Sequence, residues 1–140
     1  MELQYLIDTD WAIDHLRGKN EKVRDKIKEF RSSGIAISII SVAELYCGIY
    51  YISEEDKRKK KEEQLEAFLS VFKVLSIEKA ICKIFAQTGN ELKRNGKCID
   101  NFDLMIASTA LFHNLTLLTN NRKHFDRIVG LQIISIQETI

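Results

Sequence analysis

The stretch LQYLIDTDWAIDHL, residues 3–16, joins a short apolar run to the beginning of a helix. The run from Leu3 is mostly apolar and ends at Asp8, a pattern typical of a short buried strand. Thr9 and Asp10 then supply side chains that favour a helix start, before apolar residues return at helical spacing. This strand-to-helix unit sets the pattern that the rest of the chain repeats.

Strands and helices alternate along the remaining sequence. Apolar runs, the second of them rich in β-branched residues, predict further strands at 35–40, 74–75, 115–119 and 131–136. Apolar residues at helical spacing predict the helices between them, at 21–31, 42–52, 100–113 and 122–129, with two more beginning after Ser53 and Ser76. Such alternation implies an α/β fold, with a parallel sheet covered on both faces by helices. The length of 140 residues predicts a single domain over residues 1–140.

The composition excludes several classes of protein. Hydrophobic residues make up 45% and charged residues 29%, as in globular rather than disordered chains. A formal charge of +1 excludes a protein that coats nucleic acid by bulk charge. Cys47, Cys82 and Cys98 form no closely spaced pair, so neither a disulfide framework nor a zinc ribbon is indicated. With no signal-peptide pattern and no spanning apolar stretch, we expect a cytoplasmic protein that does not engage membranes.

Acidic and amide side chains follow several of the predicted strands. Asp8 ends the first strand, Glu44 comes shortly after the second, Asp103 lies early in a helix that is apolar nearly all round, and Asn121 follows the fourth. In open α/β sheets, ligands bind beyond the carboxyl ends of the strands. Carboxylates gathered there repel one another, and a divalent cation with a preference for oxygen, such as Mg²⁺ or Mn²⁺, relieves that repulsion. The sequence therefore predicts a hard-metal site at this edge.

Each acid taken alone also has a structural explanation. The pattern Ser41-x-x-Glu44 matches a capping box, in which the glutamate bonds back to the serine amide. Asp8 and Asp100 are suitable helix N-caps, and Asp103 would lie where the helix dipole favours an acid. Helix capping does not explain why the acids gather at one edge, so the metal site stays the stronger hypothesis.

Four segments together resemble a known family. They are LIDTD at 6–10, ISVAEL at 40–45, IDNFDLMIASTA at 99–110 and LLTNNRKHFDRI at 117–128. In this order they resemble a PIN domain and, more narrowly, the VapC-type toxin ribonucleases of toxin–antitoxin pairs. The resemblance implies a three-layer α/β/α fold with a central, mostly parallel five-stranded sheet. It also implies a Mg²⁺- or Mn²⁺-dependent endoribonuclease that hydrolyses RNA with metal-activated water, a homodimer, and inhibition by a VapB-type antitoxin with a DNA-binding half.

The resemblance also assigns roles to residues of the predicted site. Asp8, Glu44 and Asp103 match the catalytic acids that hold the metal, with Asp100 and Asn121 as further possible ligands. Thr9 and Thr119 match polar neighbours that help to position the substrate. The family usually has a fourth acid after the fourth strand, where this chain has Asn121 and His124. That departure favours one metal ion, or a second that is held weakly.

Basic residues near this edge are candidates for holding RNA. Arg94 and Lys97 precede the Asp100–Asp103 turn, and Arg122 follows the fourth strand, so we expect these three to position the substrate backbone. The basic run at 57–61 is interpreted instead as a solvated helix face.

A cluster of aromatic and apolar residues follows Glu44 on the third helix. Tyr46, Ile49 and Tyr50 are expected to line a groove that receives an antitoxin helix, as the resemblance implies. The alternative is that these side chains pack against the sheet.

Two other functions remain open on the sequence. The missing fourth acid allows a PIN fold that binds RNA or a partner without cutting. The Asp8-Thr9-Asp10 pattern also matches the nucleophile and acid of haloacid-dehalogenase-like phosphatases. That family usually has Thr or Val at the position of Ala12, and later a Gly-Asp pair with a further acid, and this chain has neither.

Overall fold

A computed structural model describes residues 2–136 as one parallel sheet of five strands with seven helices. The strands are β1 (Tyr5–Ile7), β2 (Ile35–Ser38), β3 (Lys73–Leu75), β4 (Thr116–Leu118) and β5 (Ile133–Ile134). The helices are α1 (Thr9–Arg17), α2 (Glu21–Arg31), α3 (Ile39–Tyr50), α4 (Glu55–Leu69), α5 (Lys79–Arg94), α6 (Asn101–His113) and α7 (Arg122–Phe125). Residues 1 and 137–140, which the predicted domain includes, lie outside the described part.

The sheet has the order β3-β2-β1-β4-β5, and every pair of neighbouring strands is parallel. The first strand is central: Leu6 lies opposite Ala36 on one side and Leu117 on the other. The chain moves outward from β1 through β2 to β3, and then returns to the other side of β1 with β4. The strand order therefore reverses between β1 and β4, which is where open α/β sheets bind ligands.

Two apolar cores cover the two faces of the sheet, because successive strand residues point to opposite sides. Leu6 belongs to the core built with α5 and α6, whereas its neighbour Ile7 belongs to the core built with α1, α2, α3 and α4. Trp11 is fully buried in the second core. This arrangement confirms the predicted three-layer α/β/α fold with a central parallel sheet. None of the helices within residues 2–136 is long and apolar enough to cross a membrane.

Several predicted boundaries are wrong. The strand predicted at 35–40 ends at Ser38, whose hydroxyl accepts a hydrogen bond from the amide of Ile40 and caps α3. Helix α3 therefore begins before Ser41, not after it. Helices α4 and α5 begin after Glu54 and Glu78, with no side-chain cap, so the Ser53 and Ser76 caps are also incorrect.

Candidate active site

The site lies at the strand reversal, where Asp8 directly follows β1 and Thr119 directly follows β4. Asp8 is 4% exposed and Thr119 is fully buried. The Thr119 hydroxyl donates a 2.7 Å hydrogen bond to Oδ2 of Asp8, and the amide of Thr9 donates a 2.8 Å bond to Oδ1. Both carboxylate oxygens of Asp8 are therefore held in fixed directions, and Asp8 caps α1 as well.

Burial and a neighbouring acid disfavour the charged form of Asp8. Burial is the largest cause, followed by the charge of Asp10, and together they raise the pKa of Asp8 to about 8. The bonds from Thr119 and Thr9 act in the opposite direction, and Asp103 adds to the increase. A buried acid with a raised pKa at a sheet edge is a feature of functional sites rather than of simple helix caps.

Asp10 is a second acid at this point, and the sequence does not predict it as a metal ligand. Its Oδ2 accepts a 3.0 Å hydrogen bond from the amide of Asn120, and it lies 3.4 Å from the Thr119 hydroxyl. Burial raises the pKa of Asp10. Asp10 thus places a carboxylate against the turn after β4. In this chain Asn121 and His124 follow that strand where the family usually has a fourth acid. The sequence pattern Asp8-Thr9-Asp10, at the start of a predicted helix, is the signal that could have identified Asp10 as a site residue.

Glu44 reaches the site from the second turn of α3. The hydroxyl of Thr9 donates a 2.7 Å hydrogen bond to Oε1 of Glu44 and lies 2.8 Å from the buried Ser41 hydroxyl. Burial raises the pKa of Glu44, and the charges of Asp103 and Asp100 raise it further. Because Ser38 caps α3, Glu44 does not close a capping box with Ser41. The alternative interpretation, in which Glu44 serves only in a capping box, is therefore wrong.

Asp103 lies in the first turn of α6, half-buried and close to His124. Oδ2 of Asp103 is 3.7 Å from Nδ1 of His124, and that ring nitrogen is 3.0 Å from the Asn121 amide nitrogen. Burial is the main cause that raises the pKa of Asp103, followed by Asp100, while His124 lowers it. Asn121 and His124, which stand where the family usually has acids, thus contact each other, and His124 also lies against the predicted ligand Asp103.

Asp100 has the capping role that the sequence allowed. Its Oδ2 accepts hydrogen bonds from the amides of Phe102 at 3.0 Å and Asp103 at 3.4 Å, so it is the N-cap of α6. It is exposed, and its charge raises the pKa of both Asp103 and Glu44. Asp100 therefore lies near the other acids without being buried among them.

The donor set fits a hard divalent cation. Asp8, Asp10, Glu44 and Asp103 supply only carboxylate oxygen, and Asp103 raises the pKa of Asp8 and Glu44. Within residues 2–136, no three acidic, histidine or cysteine side chains are arranged as a ready-made metal cage. Mg²⁺ does not need such a cage, because it is usually held by one or two carboxylates, several waters and substrate phosphates.

The predicted substrate-positioning cations lie outside this cluster of acids. Arg94 ends α5 and Lys97 follows it, and both are exposed. Arg122 has a structural position: its guanidinium donates to Oδ1 of Asp126 at 2.8 Å and to the carbonyl of Ile133 at 3.1 Å, which ties α7 to β5.

A groove of about 370 Å³ runs from Glu44 between α1, α3 and α4. Ile49 lines it, with Ile13, Leu16 and Ile52 among its apolar neighbours. Tyr46 and Tyr50 do not line this groove. Their hydroxyls instead donate hydrogen bonds to glutamates of α4: Tyr46 to Glu66, and Tyr50 to Glu62 at 2.8 Å. The two tyrosines therefore fasten α3 to α4, a role that an aromatic pattern alone does not reveal.

Known proteins are similar to this chain in both sequence and fold. Residues 5–131 match the PIN domain family. The chain is 34% identical over 134 residues to ribonuclease VapC1 of Methanocaldococcus jannaschii, covering 94% of this chain and 88% of that protein. It is 29% identical to the tRNA(fMet)-specific endonuclease VapC of Shigella flexneri, covering 93% and 96%.

A solved structure supports the same relationship. The VapBC2 complex of Rickettsia felis, bound to a DNA fragment from its promoter, contains a chain that superposes with a TM-score of 0.87 at 28% identity. The superposition covers 95% of this chain and 98% of the other. The identity, the coverage and the shared fold agree with the four motifs in the sequence. This chain therefore belongs to the PIN domain family, among its VapC-type proteins.

Proposed function

We propose that this chain is the toxin of a toxin–antitoxin pair and acts as a metal-dependent endoribonuclease. The observation that carries the proposal is the set of acids at the reversal of the sheet, Asp8, Asp10, Glu44 and Asp103, in a chain of the VapC type. Family membership favours a nuclease over a phosphatase. The two threonines Thr9 and Thr119 support this function because each one holds a carboxylate in place.

In the proposed site, Asp8, Glu44 and Asp103 would hold Mg²⁺ or Mn²⁺ together with waters, and Asp10 would add negative charge beside them. When bound, the metal ion supplies an activated water and stabilises charge on the phosphodiester. Burial raises the pKa of each of these carboxyl groups, so protons compete with the cation for them. Thr119 orients Asp8, Thr9 orients Glu44, and His124 lies against Asp103. Asp100 and Asn121 contribute mainly through the residues they contact, as the cap of α6 and the partner of His124.

The proposed partner is a VapB-type antitoxin. The Rickettsia felis relative was crystallised in a VapBC complex on promoter DNA, and the groove beside Glu44 has an apolar floor suited to an inserted peptide segment. A segment bound there would lie next to the acids and block them. The homodimer that the resemblance implies stays a prediction, which sedimentation of the purified chain would test.

Expression in bacterial cells tests this function as a whole. Induction of the wild-type chain should arrest growth and produce cleaved RNA, and tRNA(fMet) is the first species to probe because the Shigella relative is named for it. Asp8→Asn, expressed to the same level, should do neither. Co-expression of a DNA-binding antitoxin from a neighbouring reading frame should restore growth. Normal growth with intact RNA in wild-type cells would contradict the proposal and favour a non-cleaving binding protein.

A further inference from the structure

The groove beside Glu44 has an unusual distribution of charge. Three cations lie along it, Arg17 at the end of α1 and Lys57 and Lys61 on α4, whereas its lining includes a single carboxylate, Glu44. Within residues 2–136, none of the three cations forms an ion pair with an acid. The groove therefore presents uncompensated positive charge that leads to the acids of the site.

Lys57 and Lys61 belong to the basic run at 57–61, and their position on α4 distinguishes them from the other residues of that run. Lys57 and Lys61 are four residues apart, so they lie on one face of the helix about 6 Å apart along its axis. The other residues of the run have different positions. Arg58 donates a hydrogen bond to the carbonyl of Ile52, Lys59 pairs with Glu55 at 3.3 Å, and Lys60 is exposed and does not line the groove.

We propose that Lys57, Lys61 and Arg17 bind the phosphates of the RNA strand as it approaches the carboxylate centre. The proposal rests on the nuclease function proposed above and names the path of its substrate. A polyanion is the ligand that this charge distribution favours, because three cations line the groove and its one acid lies at the catalytic end. Phosphate contacts position a nucleic acid without reading its sequence. The basic run at 57–61 is predicted from the sequence to be a solvated helix face. In this proposal it has a substrate-binding side and a solvated side.

The path also gives a physical reason for inhibition. An antitoxin segment in this groove would cover the phosphate-binding lysines as well as Glu44. RNA and antitoxin would then compete for one surface, and each would weaken the binding of the other.

Equilibrium binding of RNA in EDTA tests the proposal without cleavage. The probe is a fluorescein-labelled single-stranded RNA of 20 nucleotides, titrated with wild-type protein, with Lys57→Ala/Lys61→Ala, and with Lys59→Ala/Lys60→Ala. The two double variants lose the same charge, so only the position differs. We expect the first to bind on the order of tenfold more weakly at moderate salt, and the control to bind nearly as the wild type does. The slope of log K against log salt should fall by about 1.4 in the first variant, for two lost phosphate contacts to a single strand.

Three further measurements make the result decisive. Lys57→Arg/Lys61→Arg keeps the charge and should restore binding, and thermal unfolding should show that all variants fold. With Mg²⁺ or Mn²⁺, the first variant should raise KM for RNA and leave kcat unchanged. Absence of cleavage by the wild type would contradict the proposed function, whereas the salt slope in EDTA tests the path independently.

Two outcomes would overturn the phosphate path. One is an equal loss of RNA affinity in both double variants, which would show that only overall charge matters. The other is that Lys57→Ala/Lys61→Ala keeps the wild-type salt slope for RNA binding but binds an antitoxin-derived peptide more weakly than the wild type does. The cations would then serve the protein partner.

Discussion

The hydroxyl of Thr9 donates a 2.7 Å hydrogen bond to Oε1 of Glu44, although the two residues are 35 positions apart in sequence. The bond connects the first turn of α1 to α3, and the buried Ser41 hydroxyl lies 2.8 Å from Thr9 on the same side. The threonine next to Asp8 therefore sets the direction of a carboxylate from a different strand–helix unit. Two acids that the sequence separates are oriented by one short segment.

Replacement of Thr9 by valine should reduce activity without removing any acid. Thr9→Val keeps the shape of the side chain but loses the hydroxyl, so Glu44 loses its orienting bond. We expect RNA cleavage to fall about 10- to 100-fold, the range for groups that orient metal ligands, and the free energy of unfolding to fall by about 1 kcal/mol. Thr9→Ser keeps the hydroxyl and should retain most of the activity. Wild-type cleavage by Thr9→Val would show that the bond has no functional role.

Glu44→Gln separates a ligand role from a capping role. Ser38 already caps α3, and burial together with neighbouring acids raises the pKa of Glu44. Loss of its charge should therefore leave the free energy of unfolding unchanged or slightly higher, while cleavage falls roughly 100-fold or more. The matched control is Ser38→Ala, which should lower the free energy of unfolding by about 0.5–2 kcal/mol. A destabilised Glu44→Gln variant that remains fully active would contradict the assignment.

The raised pKa of Asp8 makes stability in the absence of metal depend on pH. In the folded protein the pKa of Asp8 is about 8, whereas an unperturbed aspartate has a pKa of 3.8. The folded state thus binds more protons than the unfolded state between these values, and stability falls as the pH rises through that window. In EDTA, the unfolding temperature of the wild type should decrease from pH 5 to pH 8. Asp8→Asn should show a smaller decrease and a higher unfolding temperature at pH 8.

An exposed acid provides the control for this pH series. Asp25 lies on the surface of α2, so Asp25→Asn should leave the pH dependence as in the wild type. The same slope in wild type and Asp8→Asn would mean that Asp8 ionises as an ordinary surface acid does.

Asp10 should contribute to cation affinity even though the sequence did not assign it to the site. Its carboxylate adjoins Asp8 and the turn after β4, so Asp10→Asn removes negative charge where the cation is proposed to bind. We expect the Kd for Mn²⁺, measured by isothermal titration calorimetry without RNA, to increase by about tenfold. Asp126→Asn, which removes the partner of Arg122 on α7, is the control and should leave this Kd unchanged. An unaltered Kd for Asp10→Asn would remove Asp10 from the site.

The sequence predicts the layers of the fold, which the structure confirms, and it names three of the four acids that we propose for the site. The sequence predicts Asp8 and Asp103 as ligands because helix capping explains each acid alone but not why several acids gather at one edge of the sheet. The β2–α3 boundary was missed because IAISII continues with β-branched residues past Ser38, and local propensity does not show where the chain turns away from the sheet. That error also made the capping box at Ser41 and Glu44 plausible.

The contacts within the site depend on which strands and helices are neighbours in the fold, and no local sequence pattern contains that information. Asp10 meets the Asn120 amide only because β1 and β4 are neighbours in the sheet. The separation of Lys57 and Lys61 from Lys59 and Lys60 depends on how α4 packs against α1 and α3. The expectation that Tyr46 and Tyr50 line the groove comes from the resemblance, and their bonds to α4 acids are evident only from the packing of the two helices.

Cleavage of purified RNA is the most direct test of the carboxylate centre. Wild type, Asp8→Asn and Asp103→Asn are incubated with tRNA(fMet) and with total RNA, in Mg²⁺, in Mn²⁺ and in EDTA, after circular dichroism has established that all three fold. We expect the wild type to cut RNA with either metal and not in EDTA, and both variants to lose cleavage while remaining folded. Wild-type rates in both variants, or equal cleavage in EDTA, would contradict a metal-dependent site built on Asp8 and Asp103.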